Sequence, residues 1–158
     1  MTRLSKAAAY HEAGHAAVSI ATGMDAQPVE IREDGSGLSH GAGSVVEYQG
    51  QYAVWDYVTY CFSGPYAEAR ISKVSTLVVL MRHGHDDLAA AKEALTWLVS
   101  HGYALDYTAA WQRADAATRS AISREWSAIA AVAERLLIVG RLDAATVAAL
   151  VGGAKAAA

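Results

Sequence analysis

Alanine fills about one position in five of this 158-residue chain, and only two prolines, Pro28 and Pro65, interrupt it. Alanine loses no side-chain entropy on entering a helix, so helix is expected wherever glycine and proline do not intervene. The departures from that expectation carry the information. Leu4 to Ala21 reads as one helix closed by Gly23, with Pro28 barring continuation. From Pro28 to Tyr48 the vocabulary changes. Val29-Glu-Ile-Arg and Ser44-Val-Val-Glu-Tyr are β-branched or alternating runs around the polar Asp34-Gly-Ser-Gly, which predicts a β-hairpin or small sheet with a long connection.

Helix resumes with Trp55, Val58, Phe62 and Ala69 at roughly helical spacing, and Gly64-Pro65 must kink or divide it. A second segment, Asp86 to Ser100, carries Leu88, Ala91, Leu95 and Leu98, with Gly102 beyond its end. A third, Ser120 to Leu137, spaces Ile122, Trp126, Ile129, Ala133 and Leu136 by fours and threes. Asp143 reads as the N-cap of a short helix over Thr146 to Val151, while Gly152-Gly153 and residues 153–158, Lys155 included, read as a frayed tail. Trp55, Trp97, Trp111 and Trp126 lie among leucine, alanine and valine at helical spacings and read as core. The fold class expected is mainly α, one domain over residues 1–158, with a small β-hairpin or sheet.

Apolar residues make up 53% of the chain and charged residues 18%, a balance that supports a packed interior. A formal charge of -3 provides no basic footprint for phosphates, so nucleic acid is not an expected partner. The lone cysteine, Cys61, reads as a buried thiol in a reduced compartment. No run approaches the roughly 18 apolar residues of a membrane span. Met1-Thr-Arg-Leu-Ser-Lys has no signal-peptide apolar region, which points to a cytoplasmic protein.

The most informative residues are His11-Glu12-Ala13-Gly14-His15, an H-E-x-x-H motif inside a helical pattern. Positions four apart share a helix face, so the two imidazoles can converge on one metal ion, with Glu12 offset by about 100°. Zinc suits such a site, because it accepts imidazole nitrogen and lowers the pKa of bound water towards about 7. Glu12 would take that water's proton and return it to the leaving amine of a peptide. Gly14 inside the helix costs about 1 kcal/mol relative to alanine, which suggests a second backbone passing close by. The bland alternative makes His11 and His15 ordinary half-buried helix residues.

Zinc needs a third protein ligand, and the candidates cluster in His83-Gly84-His85-Asp86-Asp87-Leu88. Spacing alone does not separate His83, His85, Asp86 and Asp87, and either aspartate also suits a helix N-terminus. His40, His83, His85 and His101 read more simply as residues with no metal role. Glu68 is a carboxylate on an otherwise apolar helix, either near the site or paired with Arg70 or Lys73.

Ala8-Ala9-Tyr10-His-Glu-Ala-Gly-His-Ala16-Ala17-Val18 resembles the zinc-site helix of FtsH-type proteases, the membrane-anchored AAA+ zinc metalloproteases. Phe62-Ser-Gly-Pro-Tyr-Ala-Glu-Ala resembles that family's G-G-R-x-A-E-E segment, and His85-Asp-Asp87-Leu88 its S-N-D-L motif. Leu137 to Leu150 resembles its closing L-x-G-E-E region. The resemblance is collinear over most of the chain, and its first motif is the specific one. It implies His11, His15 and Asp87 as zinc ligands, Glu12 as general base, and Glu68 as a supporting residue that orients a histidine ligand. It also implies a substrate-binding edge at Val45, Val46, Glu47 and Tyr48, where an extended peptide could pair.

Departures from the family shape the expectation. There is no P-loop, no room for an ATPase domain and no membrane span, so the implied activity is ATP-independent hydrolysis. Its substrate would be a peptide or unfolded segment, or one delivered by a separate partner protein. Pro65 stands in place of the family's arginine, and His83 to Asp86 in place of a small polar run. The family forms rings, so a homo-oligomer is admitted by analogy. A non-catalytic binding or regulatory domain of the same fold is the competing reading, with a protease dedicated to a single protein target as the intermediate case.

Overall fold

The computed structural model describes residues 3–32, 37–39 and 50–156. Its order is α1 (Arg3–Ala21), β1 (Val29–Ile31), β2 (Gly37–Ser39), α2 (Gln51–Ser72), α3 (Thr76–Arg82), α4 (His85–Ser100), α5 (Tyr107–Arg124), α6 (Trp126–Val139), β3 (Arg141–Leu142) and α7 (Ala144–Ala156). The fold is mainly α, as composition predicts.

Helix α2 lies at the centre, packed by α1, α3, α4 and α5. It is buried from Val54 to Ala69 on nearly every side, which is why its apolar residues show no single stripe. Gly64-Pro65 does not divide it. Pro65 lies inside a continuous helix that ends at Lys73, a left-handed cap whose N–H bonds the Ala69 carbonyl. Helix α1 packs on α2 and α6 and is buried throughout from Ala9 to Ser19.

The sheet is antiparallel in the order β2-β1-β3, with Val29 opposite both Ser39 and Leu142. The expected small antiparallel sheet is present. The partner of β1 is Gly37–Ser39, inside the stretch read as a connection, and a two-residue strand before α7 completes the sheet. Ser44 to Tyr48 lies outside the described residues.

Two helical expectations need correction, and α3 and most of α5 go beyond the expected segments. Tyr107–Arg124 is a helix opened by Asp106, whose side chain accepts from the Ala109 N–H at 2.8 Å. The predicted segment Ser120 to Leu137 is the end of α5 and most of α6, broken at Glu125. Its stripe still faces the core on both sides of the break, with Ile122, Ile129, Ala133 and Leu136 buried. Asp143 accepts from the Thr146 N–H at 2.7 Å, but the helix it opens runs through both glycines to Ala156. Lys155 reaches the buried Glu125 at 3.2 Å, so it is a docking contact and not a loose end. Trp55 is buried, and Trp97, Trp111 and Trp126 pack half-buried against the core. Among the described residues, no helix is long and apolar enough to cross a membrane.

Candidate metal centre

Helices α1 and α2 cross where neither can carry a side chain. A Cβ on Gly14 would lie 2.6 Å from the Ser63 carbonyl oxygen, and one on Gly64 would lie 2.3 Å from His15 Nε2 and 2.7 Å from His11 Cδ2. Real Cβ atoms do not approach so closely, so this contact requires glycine on both helices. The close backbone that Gly14 suggested is α2, and Gly64 makes the space its imidazoles occupy.

Three side chains meet there. His11 Nε2 is 3.3 Å from His15 Nε2, and the Asp87 carboxylate straddles the pair, Oδ2 at 3.1 Å from His11 and Oδ1 at 3.2 Å from His15. Asp87 arrives on the first turn of α4, which packs against α2. Gly84 just before it admits the Pro65 ring, 2.7 Å from where a Cβ would stand. The remaining candidates lie elsewhere. Asp86 is 96% exposed beside the exposed His85, and His101 stacks on Trp97 at 4.1 Å. His40 lies outside the described residues, as do Val45, Val46, Glu47 and Tyr48.

The far side of each ring fixes its tautomer. His15 Nδ1 is 3.0 Å from the Tyr60 carbonyl oxygen, which only accepts, so Nδ1 carries the hydrogen and donates it. His11 Nδ1 donates likewise to Glu68 Oε2 at 2.9 Å. Glu68 is buried, and its other oxygen, Oε1, is 2.7 Å from Nδ1 of the half-exposed His83. It is therefore anchored between two imidazoles and does not pair with Arg70, whose guanidinium lies 4.0 Å over the Trp126 ring.

With both Nδ1 atoms donating backwards, the converging atoms are two imidazole lone pairs and a carboxylate. Acceptors held this close, with both histidines buried, require a cation between them. A proton on His11 Nε2 is one solution. Burial opposes that charge, but hydrogen bonds to Asp87 and Glu68 outweigh it and raise the His11 pKa to about 10. Burial likewise works against ionised Asp87, yet the positive field of His15 and the bonds to both imidazoles hold its carboxyl well below the usual range. A divalent ion is the other solution, and the geometry fits it: tetrahedral bonds of about 2.0–2.1 Å put ligand atoms about 3.3–3.4 Å apart. Two imidazoles and a carboxylate are a zinc-type donor set with one position left for water.

Glu12 is buried beside this cluster, and its charge acts on His11. Cys61 is buried close by. Burial first, and the field of Asp87 second, push its thiol up to about 12, so it stays protonated at neutral pH and supplies no thiolate ligand.

His83, one of the candidate ligands, stands behind Glu68 and not at the converging atoms, and residue patterns did not single out Ser63 or the Tyr60 carbonyl. Ser63 Oγ donates to that same carbonyl at 2.6 Å and approaches His15 Nδ1 at 3.4 Å. A backbone acceptor has no residue-type signature. For Asp87 a signal was present. It extends the stripe Ala91, Leu95, Leu98 back by one turn, so a carboxylate occupies a core-facing position that Asp86 does not share.

No protein-family model and no curated protein matches this chain.

Proposed function

We propose that the chain is a zinc-dependent metallopeptidase that hydrolyses peptide bonds without ATP. The observation that carries the reading is the convergence of three acceptor atoms, from His11, His15 and Asp87, beside the buried carboxylate of Glu12. The likeness of the His11–His15 helix to that of FtsH-type proteases supports the same reading.

Zinc held by His11, His15 and Asp87 would act as a Lewis acid on the peptide carbonyl and lower the pKa of its water towards about 7. The protein's own groups do the rest. Glu68 and the Tyr60 carbonyl hold the two Nδ1 hydrogens, so both Nε2 lone pairs point forward. The Glu12 carboxylate takes the proton from the attacking water and delivers it to the leaving amine. Glu12 lies one residue from His11 on the same rigid helix, which fixes its position relative to both imidazoles. Substrates are peptides or unfolded segments.

The test has two arms. Elemental mass spectrometry after dialysis in metal-free buffer should find about one zinc per chain in the wild type, and far less in His15→Ala and Asp87→Ala. Glu12→Gln should retain the zinc and lose cleavage of a quenched peptide library by at least about a thousandfold. Wild type without zinc would overturn the metal site. Zinc present with cleavage unchanged in Glu12→Gln would overturn the mechanism. Zinc present with no cleavage in the wild type would favour the binding-domain reading.

A further inference from the structure

Helix α3 is apolar on both sides. Val79 and Leu80 are buried, while Val74, Leu77, Val78 and Met81 are 40%, 58%, 37% and 68% exposed. Leu77, Val78 and Met81 share one face of α3, a core-type stripe turned outwards, and Val74 lies just before the helix. Single exposed apolar residues are ordinary, but a contiguous set on one helix marks an interaction surface.

The chemistry around the stripe selects what covers it. Arg70, Lys73 and Arg82 border it and are all exposed. Among the described residues, none of the three is within ion-pair distance of a carboxylate. Three uncompensated cations on one face of a chain whose formal charge is -3 are a local excess. Arg70 is also held in place, its guanidinium over the Trp126 ring. Beside the stripe, a cleft of about 360 Å³ opens between α2, α3 and α5, with Ala69, Val74 and Ile122 lining it and Arg70 and Arg119 at its edge.

We propose that this face docks an acidic, apolar segment of a partner polypeptide. One apolar side chain enters the cleft, others cover Leu77 and Met81, and carboxylates meet Arg70, Lys73 and Arg82. A second copy of this chain fits poorly, because a two-fold contact would set the same cations against each other. An anionic bilayer would match the charge, but a flat lipid surface leaves the cleft unfilled where a side chain fills it. The inference does not depend on the metal. Its position does bear on the site: α3 ends at Arg82, and the chain passes through Gly84 into the helix that carries Asp87.

The probe is a random peptide library displayed on phage and selected on the full chain, with enriched peptides resynthesised and their Kd measured by fluorescence anisotropy. Enriched sequences should combine apolar and acidic residues, and their binding should weaken with salt. Affinity should fall at least about tenfold in a Leu77→Ser, Met81→Ser double variant and in an Arg70→Glu, Lys73→Glu double variant. Circular dichroism verifies that each variant keeps its helices. No enrichment, or peptides indifferent to both variants, would overturn the proposal. So would binding confined to phosphatidylserine vesicles, or self-association in sedimentation that the Leu77→Ser, Met81→Ser variant removes.

Discussion

Among the described residues, two pairs of glycines lie inside helices, and they do opposite things. At Gly14 and Gly64 a methyl group would collide with backbone or with the imidazoles, whereas at Gly152 and Gly153 nothing stands within 4 Å of the added carbon. Each position carries the same intrinsic cost of glycine in a helix, about 1 kcal/mol relative to alanine. At the α1–α2 crossing that cost permits a contact no other residue allows, and in α7 it has no structural return. The propensity of a residue is therefore a poor guide to its importance; the space around it decides.

Substitution at the crossing should have the largest effect. Gly64→Ala pushes a methyl into both histidines, so zinc affinity should fall by more than about a hundredfold and stability by about 1–3 kcal/mol, read by competition with a chromophoric chelator and by urea unfolding. If Gly64→Ala binds zinc like the wild type, the crossing is looser than these distances state.

A smaller effect is expected one shell further out. His83→Ala removes the hydrogen bond that fixes the second oxygen of Glu68, and zinc affinity should drop about tenfold, the low end for residues that orient a ligand's partner. His83→Asn, which restores an N–H near the position of Nδ1, should recover most of it. Equal affinity in all three proteins would show that Glu68 needs no second anchor.

The metal-free protein should show a pH dependence of its own. His11 has a folded pKa of about 10, above its ordinary 6.5, so its contribution to stability is complete below about pH 6.5 and lost as pH rises to about 10. Asp87 and Glu68 have depressed values, so theirs is present above the ordinary carboxylate range and lost on acidification. Urea unfolding of the apoprotein should accordingly show stability falling between pH 6.5 and 10, and His11→Gln should flatten that decline. The smallest effect, and the opposite sign, belongs to the other glycines. Gly152→Ala and Gly153→Ala should each raise stability by up to about 1 kcal/mol, seen as a higher Tm.

The same contrast explains what could be read in advance. The α1 helix and the meeting of His11 with His15 follow from a spacing of four residues, a local property. The choice of Asp87 over Asp86 came from family resemblance, although the register of Ala91, Leu95 and Leu98 would have decided it from residues alone. The α5–α6 break was illegible for a physical reason. Glu125 marks it with neither glycine nor proline, and the spacing of apolar residues runs on across it. In helix α7 two glycines resemble a stop signal, yet with open space around them they simply continue the helix. The role of His83 behind Glu68 had no readable signature, since the two are fifteen residues apart in sequence.

The two imidazoles also differ in what holds them from behind. His15 is oriented by a main-chain carbonyl of Tyr60, an acceptor that every residue type supplies, while His11 depends on the side chains of Glu68 and His83. Sequence drift can therefore strip the support from His11 by single codon changes, but it cannot remove the acceptor for His15 without moving a helix. Among descendants of this gene, variation should accumulate behind one histidine and leave the other's anchor intact.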